Sequence, residues 1–123
     1  MPLRGIRGAT TAEKNDEASI VDATETLLTT MITTNHIDAE DIASIFFSAT
    51  NDLNAEFPAV VARKIGLTYT PLLCVKEIDV PKGLKRCIRI LLHVNTTQSQ
   101  DQMTPVYLKN AVSLRPDFSG QHS

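Results

Sequence analysis

Two stretches of this chain are apolar on both alternating faces, yet only one long amphipathic helix is available to cover them. Ile42-Ala43-Ser44-Ile45-Phe46-Phe47-Ser48-Ala49 is broken only by small hydroxyls, and Cys87-Ile88-Arg89-Ile90-Leu91-Leu92-His93-Val94 reads as a long, largely buried strand. Strands of this kind need cover on both sides. The helix runs from Asp16 to about Thr34. Its residues Ile20, Val21, Thr24, Leu27, Leu28, Met31 and Ile32 form a stripe about 140° wide at about 100° per residue. Asp22, Thr26, Thr29, Thr30 and Thr33 take the opposite face. Asn15 or Asp16 suits the N-cap, Glu17 complements the helix dipole, and Asn35 suits the stop.

The remaining elements are short. Leu3 to Thr10 reads as a first strand, Pro58 and Gly66 bracket a short helix over Ala59 to Ile65, and Leu72 to Glu77 reads as a strand. A polar loop from Thr96 to Gln102 leads to Val106-Tyr107-Leu108 and to a last strand around Ala111 to Leu114. The expectation is an α+β domain over residues 1–116, a five-stranded sheet packed with one long helix and a short one, followed by a loose tail over 117–123. One helix cannot hide both faces of such a sheet, so the second face is expected against another subunit.

Several classes are excluded or disfavoured. A hydrophobic share of 42% excludes a disordered chain, and a net charge of −2 gives no long-range attraction to nucleic acid or acidic lipid. No apolar run approaches a membrane span, and no greasy cleavable stretch follows Arg4 and Arg7, which predicts a soluble, cytoplasmic protein. Cys74 and Cys87 form no CxxC, and His36, His93 and His122 stand far apart, so neither a disulfide framework nor a metal site is expected. Arg4-Gly5-Ile6-Arg7-Gly8 matches no phosphate loop.

The charged residue that fits least is Arg89, a guanidinium among Ile88, Ile90, Leu91 and Leu92 in a strand read as buried. Such a cation needs a fixed anion. Glu77 can serve as a plain structural partner. Arg7 stands among the small residues Gly5, Gly8 and Ala9, which are expected to leave space beside it, and Arg63 lies on the short helix. Convergence of these three arginines on one glutamate leaves an excess of positive charge that a dianion would satisfy. Cys74 lacks a neighbouring base, and His93 on an apolar strand reads first as a packed residue. Tyr107 suits either a core or a ligand carboxylate.

Arg4-Gly5-Ile6-Arg7-Gly8-Ala9-Thr10-Thr11, Ser48-Ala49-Thr50, Asp52-Leu53 and Phe57-Pro58-Ala59 stand in one order with Cys74, Glu77 and Asp79-Val80. Gly83-Leu84, Cys87-Ile88-Arg89, Val106-Tyr107-Leu108 and Leu114-Arg115-Pro116-Asp117 complete the series. Together they resemble the small monofunctional chorismate mutases of the trimeric pseudo-α/β-barrel class. The resemblance implies a homotrimer with active sites at subunit clefts and the Claisen rearrangement of chorismate to prephenate, without cofactor or covalent intermediate. It also implies residue roles. Arg89 faces the ether oxygen, Arg7 and Tyr107 hold the nearby carboxylate, and Glu77 with the Cys74 thiol or the adjacent backbone binds the ring hydroxyl. Phe57, Ala59 and Leu114 shape the apolar wall, Leu73 adjoins the substrate, and Arg63 and Arg115 attend the exposed carboxylate.

Three departures from the family pattern stand out. Val60 replaces a frequent lysine, the link from Arg63 to Tyr69 is one residue shorter, and Leu73 replaces a small polar residue. Two other readings share the architecture or the charge: an imine or enamine deaminase, whose C-terminal pattern is missing here, and a trimer that binds dicarboxylates without chemistry.

Overall fold

The computed structural model describes residues 1–114. In chain order these form β1 (Leu3–Thr11), α1 (Glu17–Thr34), β2 (Ile42–Ala49), α2 (Val60–Lys64), β3 (Leu72–Lys76), β4 (Cys87–Asn95) and β5 (Val106–Tyr107), with 3₁₀ turns at Ala39–Asp41, Gln100–Gln102 and Lys109–Leu114. Their limits agree with the sequence expectations to within a residue or so, the usual uncertainty of helix and strand ends. The exception is the strand expected over Ala111 to Leu114. Lys109 adopts φ 52°, and the Ala111 N–H donates to the Leu108 carbonyl, so the chain coils into a 3₁₀ turn there. The fifth strand is instead β5, closed off by the Leu108 N–H donating to the Ala9 carbonyl.

The strand order is β3-β2-β4-β1-β5. The central strand β4 runs antiparallel to both β1 and β2, while β3 and β5 lie parallel to their neighbours, giving a mixed sheet. Side chains alternate across a strand, so the register sorts them into two sets. Ile88, Ile90, Leu92 and Val94 of β4 share a face with Ile6, Ile45 and Phe47. All but Ile88 pack under Leu27, Leu28 and Met31 of α1 and Val61 of α2, while Ile88 packs with Ile20 and Ala23 of α1. Arg89, Leu91 and His93 face the other way, alongside Arg7, Phe46, Ser48, Leu73 and Val75. Among the described residues no helix packs over that second face, and Phe46, Leu73 and Val75 stay 41%, 52% and 49% exposed.

Both helices are capped by their own sequence. The Asp16 side chain accepts from the Ser19 N–H at 2.7 Å, and this bond lowers the Asp16 pKa. Asn35 at the other end donates to the Met31 and Thr104 carbonyls, and its own amide oxygen accepts from the Thr104 N–H, pinning α1 to the approach to β5. Gly66, at φ +96°, ends α2 in a left-handed turn in which the Leu67 N–H donates to the Ala62 carbonyl. No helix among the described residues is long and apolar enough to cross a membrane.

Gly8 has a different task from the one its sequence neighbourhood suggested. It lies on the α1 side of β1, so it leaves no space beside Arg7 on the other face. A β-carbon there would sit 2.4 Å from Met31 Sδ and 3.1 Å from Leu27 Cδ1. The helix therefore approaches β1 only because that side chain is missing. Gly8→Ala is expected to lower unfolding stability by about 1–3 kcal/mol, the usual cost of overfilling a packed core, measured by urea denaturation.

Candidate active site

Arg89 stands between Ala9 of β1 and Ser48 of β2 in the sheet register, with Arg7 diagonally across from it beside Leu91. Glu77 follows β3 directly. Its N–H donates to the Ala49 carbonyl at 3.0 Å, extending the β2–β3 pairing by one residue and bringing its carboxylate over β2 and β4. There Oε1 lies 3.1 Å from Arg89 Nε, and Oε2 accepts the Ser48 hydroxyl. Arg7, Ser48, Glu77, Arg89, Tyr107 and Leu114 line a cavity of about 340 Å³, within the range of small-molecule sites. Tyr107 reaches it from β5, where it pairs with Ala9 and is nearly buried.

Arg89 requires a correction. It was expected inside a covered strand, but the register turns it to the bare face, where its side chain is 47% exposed in the single chain. The charge balance also differs from expectation. Two guanidiniums, Arg7 and Arg89, meet one carboxylate in this cavity, because Arg63 is elsewhere. Arg63 Nη1 donates to the Thr68 carbonyl at 2.7 Å and to the Leu67 carbonyl. The left-handed turn at Gly66 leaves those carbonyls without helical partners, and a cation in the last turn of α2 satisfies them.

The other expected residues fall into a second group. Phe57 and Cys74 line a separate cavity of about 510 Å³, which shares only Val75 with the Arg89 cavity. Cys74 pairs with Phe47 and so projects to the helical side of the sheet, and Ala59 packs from the same side. Leu73 points to the bare face, while Arg115 and the tail over 117–123 lie outside the described residues. Within one chain the sheet therefore stands between Arg89 and the pair formed by Ala59 and Cys74.

Burial pushes the Cys74 thiol up, with the Ala59 backbone opposing it weakly, and burial likewise raises buried Cys87 despite the nearby Arg89. His93 Nδ1 meets Ser44 Oγ at 3.1 Å, and its ring stands edge-on to Phe46. Among the described residues no three His, Cys, Asp or Glu side chains gather as metal ligands. Ser48 is the site residue that sequence reasoning passed over. Its signal was a hydroxyl inside an apolar strand, read as a tolerated gap. Because the raised pKa keeps Cys74 protonated at neutral pH, alkylation of Cys74 by iodoacetamide at pH 7 is expected to be slower than that of free cysteine, followed by peptide mass spectrometry.

Comparison with known proteins accords with this geometry. The profile of the family described as chorismate mutase type I matches residues 3–118. Chorismate mutase AroH of Bacillus subtilis (strain 168) is 48% identical over 97% of this chain and 94% of its own length. The AroH chorismate mutase of Thermus thermophilus is 46% identical over 94% of this chain and 96% of its own. The solved chorismate mutase from Clostridium thermocellum superposes with a TM-score of 0.87 at 46% identity, covering 89% of this chain and 97% of that one. With nearly its whole length matched and two arginines set against one glutamate on an uncovered sheet face, the chain belongs to the type I chorismate mutase family.

Proposed function

We propose that this chain rearranges chorismate to prephenate in the cleft lined by Arg7, Glu77, Arg89 and Tyr107, and that neighbouring copies of the chain complete the cleft. The family and its near-full-length relatives make the chain a chorismate mutase, an isomerase acting early on the route to phenylalanine and tyrosine. The observation that carries the placement is the charge imbalance: two fixed cations against one carboxylate suit a substrate with two carboxylates.

The rearrangement is concerted. The ether C–O bond breaks as a new C–C bond forms at the other end of the enolpyruvyl unit, and no proton or cofactor enters the balance. Bond breaking runs ahead of bond making, so negative charge gathers on the ether oxygen midway. A cation fixed beside that oxygen binds the transition state better than the substrate. Arg89 takes this role, held through Nε by Glu77. Arg7 and the Tyr107 hydroxyl hold the carboxylate next to the ether, and Glu77 with the protonated Cys74 thiol receives the ring hydroxyl. Both carbonyl contacts of Arg63 leave from Nη1, so its approach to the outer carboxylate, shared with Arg115, falls to Nε and Nη2.

Magnitudes decide how much Arg89 can supply. An acceleration of about 10⁶ needs about 8 kcal/mol, and one well-placed donor supplies about 3–4 kcal/mol. The remainder comes from holding chorismate folded with its reacting ends in contact. That task needs a wall opposite Arg89, and Phe57, Ala59, Leu73 and Leu114 are the apolar candidates. Ala59 and Cys74 lie on the helical side of their own sheet, away from their own Arg89, and Phe57 lines the same cavity as Cys74. A second copy docked on the bare face supplies them while covering Phe46, Leu73 and Val75. Three copies, the number implied by family resemblance, would close the ring with one site per interface.

Two measurements test this reading. Light scattering should give a mass three times the 13.5 kDa chain, and a monomer at micromolar concentration contradicts the shared cleft. Purified protein should consume chorismate, read as loss of its absorbance. Arg89→Met should lower kcat by at least about 10²–10³ with the assembly intact, and an active variant removes Arg89 from its role.

A further inference from the structure

Ser48 lies near the end of β2, flanked by β3 and β4 and in register with Arg89, and is 9% exposed. A hydroxyl so enclosed needs a partner. It takes none from the backbone and donates instead to Glu77 Oε2, the oxygen that Arg89 does not use. Glu77 is thereby gripped at both oxygens, by β2 on one side and β4 on the other. Ser44, the other hydroxyl on this face of β2, is engaged with His93 and offers Glu77 nothing.

Glutamate and arginine are long side chains with several free torsions, and a single contact between them fixes neither. With the carboxylate tied at one oxygen to a serine on a rigid strand, the other oxygen becomes a fixed target for Arg89 Nε. We propose that Ser48 is a positioning residue for the rearrangement: through Glu77 it holds the Arg89 guanidinium in the one orientation that meets the ether oxygen. This deepens the assignment of Arg89 above and rests on it. A group that stabilises charge appearing only in the transition state acts on kcat, so loosening it should cost turnover more than substrate affinity.

Ser48→Ala removes the donor at nearly constant volume. It should lower kcat about tenfold, because small displacements of a catalytic group are costly, while KM changes by less than about threefold. Ser48→Thr keeps a hydroxyl and should restore most of the loss. In a Glu77→Ala background, where no carboxylate remains to be held, the same Ser48→Ala change should cost less than about twofold. Without substrate, the Arg89 Nε–H resonance in nitrogen-15 spectra should exchange with water about tenfold faster in Ser48→Ala than in the native or Ser48→Thr protein, as expected when the ionic contact that protects it opens more often. Should the alanine variant not fold, Ser48→Cys provides the same series with a poor donor of similar size.

Native kcat in Ser48→Ala, an undiminished loss in the Glu77→Ala background, or unchanged Arg89 Nε–H exchange would each overturn the proposal. Failure of the native protein to consume chorismate would instead sink the assigned activity, and the exchange measurement would still decide whether Ser48 holds Glu77 against Arg89.

Discussion

Everything in this molecule hangs on the alternation of side chains along β4. Paired on both sides, the strand has no freedom to slip, and a shift of one residue would exchange Ile88, Ile90 and Leu92 for Arg89, Leu91 and His93 under α1. Burying a guanidinium there without an anion would cost far more than the core returns, so hydrophobic packing and charge placement enforce one register. The packing that stabilises the chain thus also aims Arg89.

The bare face joins two properties that seldom occur together. It is apolar enough to call for a partner, through Phe46, Leu73 and Val75, and it carries two guanidiniums that call for an anion. Shielding by a partner strengthens the second property, since charges act more strongly as water is excluded. Glu77 moderates the effect. One carboxylate shared between Ser48 and Arg89 offsets one of the two guanidiniums and leaves a net positive charge to attract a dianion. On the proposed reading, catalytic field and assembly come from the same surface.

Most of the architecture was legible in the sequence because its signals are local. The α1 stripe, the Asp16 and Asn35 caps, and the bracket of Pro58 and Gly66 each announce a boundary within a few residues. The strand expected over Ala111 to Leu114 was misplaced because an apolar run of that length does not reveal the left-handed Lys109 that coils it. The site was legible in its residue types and in its family resemblance, and less so in its geometry. Nothing local in the chain says that Arg63 spends itself on the Leu67 and Thr68 carbonyls, or that Gly8 makes room for Met31 and not for Arg7. Ser48 escaped notice because a hydroxyl in an apolar strand has many bland explanations, and only its register opposite Arg89 distinguishes it.

The strand order has a consequence for how the chain comes into being. No two consecutive strands form a hairpin: β2 meets β3 only in parallel, and β1 waits for β4, which begins only at Cys87. A nascent chain emerging from the ribosome therefore carries β1 without any strand partner until β4 has been made. Contacts this distant in sequence close slowly, and the interval before closure is when aggregation competes. During that interval the early-made α1 can lie along β1 and shelter it, which gives the helix a guardian's duty during synthesis in addition to its place in the finished core.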